Sequence, residues 1–216
     1  LAVVSQPGDR NAILPVPGRL DAKLREFWVG NPWQIVAHGH NLSAFERNRV
    51  FWNVRGEHFL EISFISGADH DGDSRSVIAA DFRNAGQLDL LVRQAGGGPL
   101  LYYQNQMPCR NWLTVSLRSP SMNRRGIGAR LTAYVGNRVL VRELFPANGF
   151  MSQAPALVHF GLGDADVVER LVIRWPSGRV QQVHHLPARR HLLITEGSSD
   201  DAALVSEVIP GRAIEP

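Results

Sequence analysis

The chain is short of several things, and each shortage excludes something. Cysteine occurs once, at Cys109, so no disulfide can close within the chain and no cysteine-based metal cluster can form. One cysteine does not by itself decide the compartment. Lysine also occurs once, at Lys23, and the other 22 of the 23 basic residues are arginine. No apolar run approaches the roughly 18 residues that a membrane-spanning helix needs. Charged residues make up 20% of the chain, slightly low, whereas the 44% hydrophobic content suits an ordinary globular core. With 216 residues there is room for one large domain or two small ones. A first residue of Leu1 is expected of a mature or trimmed chain.

Charge is unevenly placed. Residues 110–192 hold 12 arginines against Glu143, Asp164, Asp166 and Glu169, net +8, while residues 193–216 are net −4 and residues 1–109 net −1. A basic middle followed by an acidic tail is a pattern for docking to an acidic partner or an anionic membrane surface. It is also the pattern of a plain arginine-rich solvated surface.

Residues 1–18 carry Pro7, Gly8, Pro15, Pro17 and Gly18 without any sustained period and read as an extended arm. Leu20, Leu24, Phe27 and Trp28 fall at helical spacing, predicting one short helix over 19–29 that Asn31-Pro32 stops. From Asn41 the pattern turns to β. Strands are expected at Arg49–Asn53, Phe59–Ile65, Val77–Phe82, Leu88–Val92 and Leu100–Tyr103. The C-terminal half alternates more cleanly, with Leu113, Val115 and Leu117 on one face and Ala129, Leu131, Ala133 and Val135 likewise. Gly136-Asn137 then predicts a two-residue hairpin loop. Further strands are expected at 139–145, 171–175, 180–186 and 191–195. Together they predict an all-β chain whose C-terminal part is an antiparallel β-sandwich. The ends, 1–18 and 198–216, have too few periodic apolar positions to fold on a core of their own, so a support outside the sandwich is expected wherever they are ordered.

Several spaced motifs occur in order: Asn123-Arg124-Arg125-Gly126-Ile127-Gly128-Ala129-Arg130, Phe150-Met151-Ser152-Gln153, His159-Phe160-Gly161-Leu162-Gly163 and Arg174-Trp175-Pro176-Ser177-Gly178. This series resembles the ASPIC/UnbV domain, which usually follows FG-GAP/VCBS-type repeats in secreted proteins, the cartilage acidic protein family included. Upstream, Asn41–Arg49, Asn53–Phe59 and Ala80–Leu90 are similar to the lead-in, opening and calcium loop of such a repeat. The resemblance covers residues ~41–197, as a degenerate repeat region (41–110) and an ASPIC/UnbV-like sandwich (111–197), and composition adds an arm with a short helix before them (1–40) and an acidic tail after them (198–216). Residues 41–110 hold only one or two four-stranded blades, so an incomplete propeller remnant is expected. The family's calcium loop follows D-x-D-x-D-G-x-x-D. Here Asp81 and Asp89 keep the first and last positions and Gly86 the turn, but Arg83 and Ala85 replace the two carboxylates between. Calcium needs six to eight oxygen ligands, so the loop is expected to persist as a turn without its metal.

Other groups each carry two readings. Asp69, Asp71 and Asp73 could line a calcium turn or simply a solvated Asp-Gly turn. His38 with His40, and His184, His185 and His191, could ligate a transition metal or sit at the surface. Ser116, Ser152 and Ser177 lack a nucleophile-elbow context. Gly96-Gly97-Gly98 is not followed by Lys-Ser/Thr and opens no helix, which argues against a phosphate cradle. Arg130, Arg138 and Arg142 beside Tyr134 fit a solvated sheet face better than a nucleic-acid surface. Trp28, Trp33 and Trp52 either fill a small first core or anchor an interface.

The expectation is therefore a non-catalytic, extracytoplasmic protein-binding or scaffolding subunit. An extrinsic subunit of a larger membrane assembly, such as a respiratory or photosynthetic one, is a concrete version. Trp28, Trp33, Arg130, Arg138 and Arg142 are its candidate partner contacts, with no resident cofactor and no nucleic acid. The alternative is a carbohydrate- or matrix-binding β module, which would want exposed aromatics on one face and a working calcium site.

Overall fold

The computed structural model describes residues 47–72, 74–94, 99–147, 152–198 and 204–209. The predicted arm and helix, with Trp28, Trp33, His38 and His40, lie outside them, as do Asp73 and Gly96–Gly98. What is described is all-β apart from one helical turn, α1 (Ser63–Ser66). Thirteen strands follow the chain: β1 (Phe51–Val54), β2 (His58–Glu61), β3 (Ser74–Ala80), β4 (Asp89–Gln94), β5 (Leu101–Tyr103), β6 (Asn111–Arg118), β7 (Arg130–Val135), β8 (Arg138–Glu143), β9 (Leu157–Gly163), β10 (Val167–Arg174), β11 (Val180–Pro187), β12 (Arg190–Thr195) and β13 (Leu204–Ile209). They form a β1-β2 hairpin, a three-stranded sheet in the order β3-β4-β5, and two four-stranded sheets, β11-β10-β7-β8 and β13-β12-β6-β9. No sheet closes into a barrel.

The described residues fall into two compact units. One takes those up to Val77 together with Leu91–Tyr103, and the other takes Ile78–Leu90 with those from Gln104 onward.

In the second unit the two four-stranded sheets form the expected sandwich. Period-two alternation sends Leu113, Val115 and Leu117 of β6, Val158, Phe160 and Leu162 of β9, and Leu192 and Ile194 of β12 inward. They join Leu131, Ala133 and Val135 of β7 and Leu171 and Ile173 of β10 in one buried core. Each large apolar side chain so buried contributes about 1.5–3 kcal/mol, so this core holds the unit together. The predicted hairpin is present: Val135 pairs with Arg138, and Gly136 supplies φ +53° at the loop.

Four details depart from the expected pattern. The strand expected over Phe59–Ile65 ends at Glu61. There the Ser63 hydroxyl accepts the Val50 N–H and the Glu61 carboxylate accepts the Ser63 N–H, so side chains take over from the ladder. Gly67, at φ +69°, then closes the single turn α1. β9 is a full strand although Gly161 and Gly163 interrupt its composition. Within the otherwise antiparallel sandwich, β12 lies parallel to β6, Leu113 pairing with Arg190 and Arg118 with Thr195. Finally, the tail is not wholly irregular. Leu204–Ile209 forms β13 on the edge of β12, so the sandwich itself holds this stretch and no outside support is needed for it.

Candidate functional site

The loop between β3 and β4, Asp81 to Asp89, belongs to the sandwich unit. The Asp81 carboxylate accepts the N–H groups of Ala85 at 2.9 Å and Gly86 at 2.6 Å, a side-chain substitute for a turn of backbone bonds. Asp89 has no solvent exposure, and its carboxylate meets the Arg83 guanidinium twice, Nε to Oδ2 at 3.1 Å and Nη2 to Oδ1 at 3.0 Å. The Asn105 N–H adds a third donor at 2.8 Å. The cation facing the last carboxylate is thus a guanidinium carried by the loop itself. These residues do not fit calcium: the charge is already neutralised, and an alanine stands where a further ligand would. Gly86 (φ +78°) lies flat on the Trp112 indole, where a Cβ would come within 1.8 Å of Nε1.

Beneath that loop is a small polar cluster on the outer side of the β13-β12-β6-β9 sheet. Trp112 stacks on His159 with ring centres 6.2 Å apart, and Thr114 Oγ1 lies 3.2 Å from His159 Nδ1. Ser116 Oγ lies 2.7 Å from His191 Nε2. Both imidazoles are held below their ordinary range. Burial is the main cause for His159, with Asp81 opposing it and Arg142 adding to it, and burial alone acts on His191.

In the other unit, Asp69 and Asp71 are met by Arg47, at 3.1 Å and 4.0 Å. His70 Nδ1 accepts the Gly72 N–H at 2.8 Å, closing the turn. No three His, Cys, Asp or Glu side chains are grouped to hold a metal among the described residues. His184 and His185 are neighbours with ring centres 6.4 Å apart, and His191 is on a strand of the other sheet.

The arginines expected to share one face do not. Arg130 points outward from β7, on the side of Arg174 and Glu143. Arg138 and Arg142 project from the opposite side of the edge strand β8. Arg138 donates to the Leu162 carbonyl, and Arg142 lies 5.9 Å from the Phe160 ring centre. Alternation along β8 separates them from Arg130, because residues 138, 140 and 142 oppose 135, 133 and 131 across the pair. Tyr134 is covered by Arg170, 3.9 Å from its ring centre.

Composition had pointed to arginine but not to where it gathers. At the end of β6, Arg118, Ser119 and Pro120 face Arg124 and Arg125 of the β6–β7 connection across a groove of about 530 Å³, with Leu117 and Leu193 completing it. The signal available in the sequence was the Arg124-Arg125 pair next to Gly126.

Residues 119–201 match the family described as ASPIC and UnbV. That match covers β7 through β12 and the groove-bearing connection, and begins after the Asp81–Asp89 loop. No curated protein matches the chain. Among solved structures, a candidate cell adhesion protein from Bacteroides uniformis ATCC 8492 is similar at 9% identity and a TM-score of 0.28, over 66% of this chain and 67% of that one. A likeness that weak carries no argument about the ASPIC/UnbV segment or the chain around it. Among the described residues no helix is long and apolar enough to cross a membrane.

Proposed function

We propose that the chain is a non-catalytic, extracytoplasmic protein-binding or scaffolding subunit, extrinsic to a larger assembly. A respiratory or photosynthetic membrane complex is one version. The observation that carries this reading is the apolar exposure of the hairpin and the turn after it. Phe51, Trp52, Phe59 and Leu60 are exposed, and Phe64 and Ile65 are 87% and 86% exposed. The buried apolar side chains of the same unit are only Ala68 and Val92 among the described residues. Covering six such side chains at about 1.5–3 kcal/mol each is a large gain that only a partner surface or another segment can supply. A two-stranded hairpin is also marginal by itself. The β1–β2 register puts Phe51 and Phe59 on one face and Trp52 and Leu60 on the other, so the fitting partner encloses the hairpin.

The Arg83–Asp89 pair weighs against the calcium site that the carbohydrate-binding alternative would use. We read residues 41–110 as a degenerate FG-GAP/VCBS-type repeat of a cartilage acidic protein-like chain. The repeat-like loop and the ASPIC/UnbV match downstream support this.

The test is gentle purification from native material. A stoichiometric partner that stays with the wild-type chain and is lost from a Trp52→Ser, Phe59→Ser variant of unchanged melting midpoint supports the reading. A chain that purifies alone, or a partner indifferent to these substitutions, overturns it.

A further inference from the structure

We propose that the groove between the end of β6 and the β6–β7 connection binds a carboxylate-rich peptide segment through Arg118, Arg124 and Arg125. This rests on the protein-binding reading above and gives it a place and a chemistry.

Every charged residue lining the groove is an arginine. Arg47, Arg83, Arg110 and Arg190 are each paired with a carboxylate, but Arg118, Arg124 and Arg125 have no such partner among the described residues. The nearby Glu196, 8% exposed, accepts the hydroxyls of Ser119 and Ser177 and forms no ion pair with these arginines. Three arginines thus line one groove without a paired anion, and a carboxylate-rich segment would supply one. Arginine also offers a planar fork that matches a carboxylate with two parallel bonds.

The backbone that carries these side chains is held in place. The Asn123 side chain accepts the Ile127 N–H at 3.0 Å and donates to the Ile127 carbonyl at 2.8 Å, and the Ser119 N–H reaches the Arg124 carbonyl at 2.9 Å. Gly126, at φ +62°, lets the loop sit against Trp175 and Leu117, where even a Cβ would come within 3.2 Å. The arginine backbones are therefore preorganised, which lowers the ordering cost of binding.

The shape selects a peptide over a bilayer. The site is concave, with Leu117 and Leu193 contributing apolar surface between the charges, and a flat bilayer cannot enter it. Met122 is fully exposed and Ile127 exposed on the same connection. Arginine with methionine is the composition of protein interfaces.

The probe is a fluorescein-labelled decapeptide alternating glutamate and leucine, titrated with the full chain by anisotropy at low and moderate salt. The wild type should bind it, more weakly as salt rises. The Arg118→Gln, Arg124→Gln, Arg125→Gln variant should lose about tenfold or more. An Arg55→Gln, Arg93→Gln, Arg174→Gln variant, which removes the same charge elsewhere, should lose less than about threefold. Circular dichroism and melting midpoints establish that both are folded, and a single Arg124→Glu substitution, also expected to weaken binding about tenfold, serves if the groove triple is not. Equal losses in the two triples would mean diffuse attraction by net charge and would overturn the groove while leaving the protein-binding reading intact. No binding of the peptide by the wild type, or groove-dependent binding of phosphatidylglycerol vesicles in its place, would overturn the peptide as the occupant.

Discussion

Arg83 and Asp89 form a two-bond ion pair six residues apart, with the carboxylate wholly buried and the guanidinium one-third exposed. A buried carboxylate without a counter-charge is costly, whereas the matched pair is close to neutral in stability. The loop therefore depends on the arginine to balance the charge of its buried last aspartate.

Removing one member of the pair should show this. Arg83→Met is expected to destabilise the chain by about 3 kcal/mol, since it strands a buried charge. Asp89→Asn added to Arg83→Met should restore part of the loss. Urea denaturation of the two variants measures both, and a harmless Arg83→Met would contradict the role given to the pair.

Calcium should not bind this loop. Calorimetry with millimolar Ca²⁺ is expected to give no heat from Asp81–Asp89. Clear binding that disappears in an Asp81→Ala, Asp89→Ala variant would show that the guanidinium yields to the metal.

His159 and His191 give the fold a pH dependence. Both have folded-state values pulled below the ordinary 6.5, chiefly by burial. The unfolded chain then takes up protons first as pH falls. Stability contributed by the neutral imidazoles is full above pH 6.5 and declines as pH drops through that value toward the lowered ones. The melting midpoint should fall from pH 7.5 to pH 5, and His159→Gln should flatten that slope. An unchanged slope would mean that the proton is taken up elsewhere.

Ending the chain after Ser198 removes β13 from the edge of β12. The loss is expected to be on the order of 2 kcal/mol, roughly 4–8 °C in melting midpoint for a chain of this length. An unaltered midpoint would mean that this edge strand contributes nothing.

The sandwich core was legible because alternation names a buried face directly: Leu113, Val115, Leu131, Ala133, Leu171 and Ile173 all sit where their period puts them. Pairing was not legible. Period two says which face a residue takes but not which strand lies beside it, so the parallel contact between β6 and β12 left no mark in the sequence. The arginine face failed for a related reason. Arg130 and Arg142 are each regular on their own strand, and only the Leu131↔Arg142 register shows that they point to opposite sides. The groove was missed because Arg118 and Arg124 are joined by a loop folded by Asn123 and Gly126, and loops carry no periodicity to read.

The parallel neighbour of β6 has a consequence for how the protein is made. Ser119, just past the end of β6, and Glu196, just past the end of β12, are bonded although 77 residues separate them in the chain. The central strand of that sheet must wait, with one edge open, until nearly the whole domain has left the ribosome. Long-range closure of this kind slows folding and lengthens the time an unpaired strand is exposed to other chains. A nascent chain stalled before β12 should therefore be the form most in need of a chaperone.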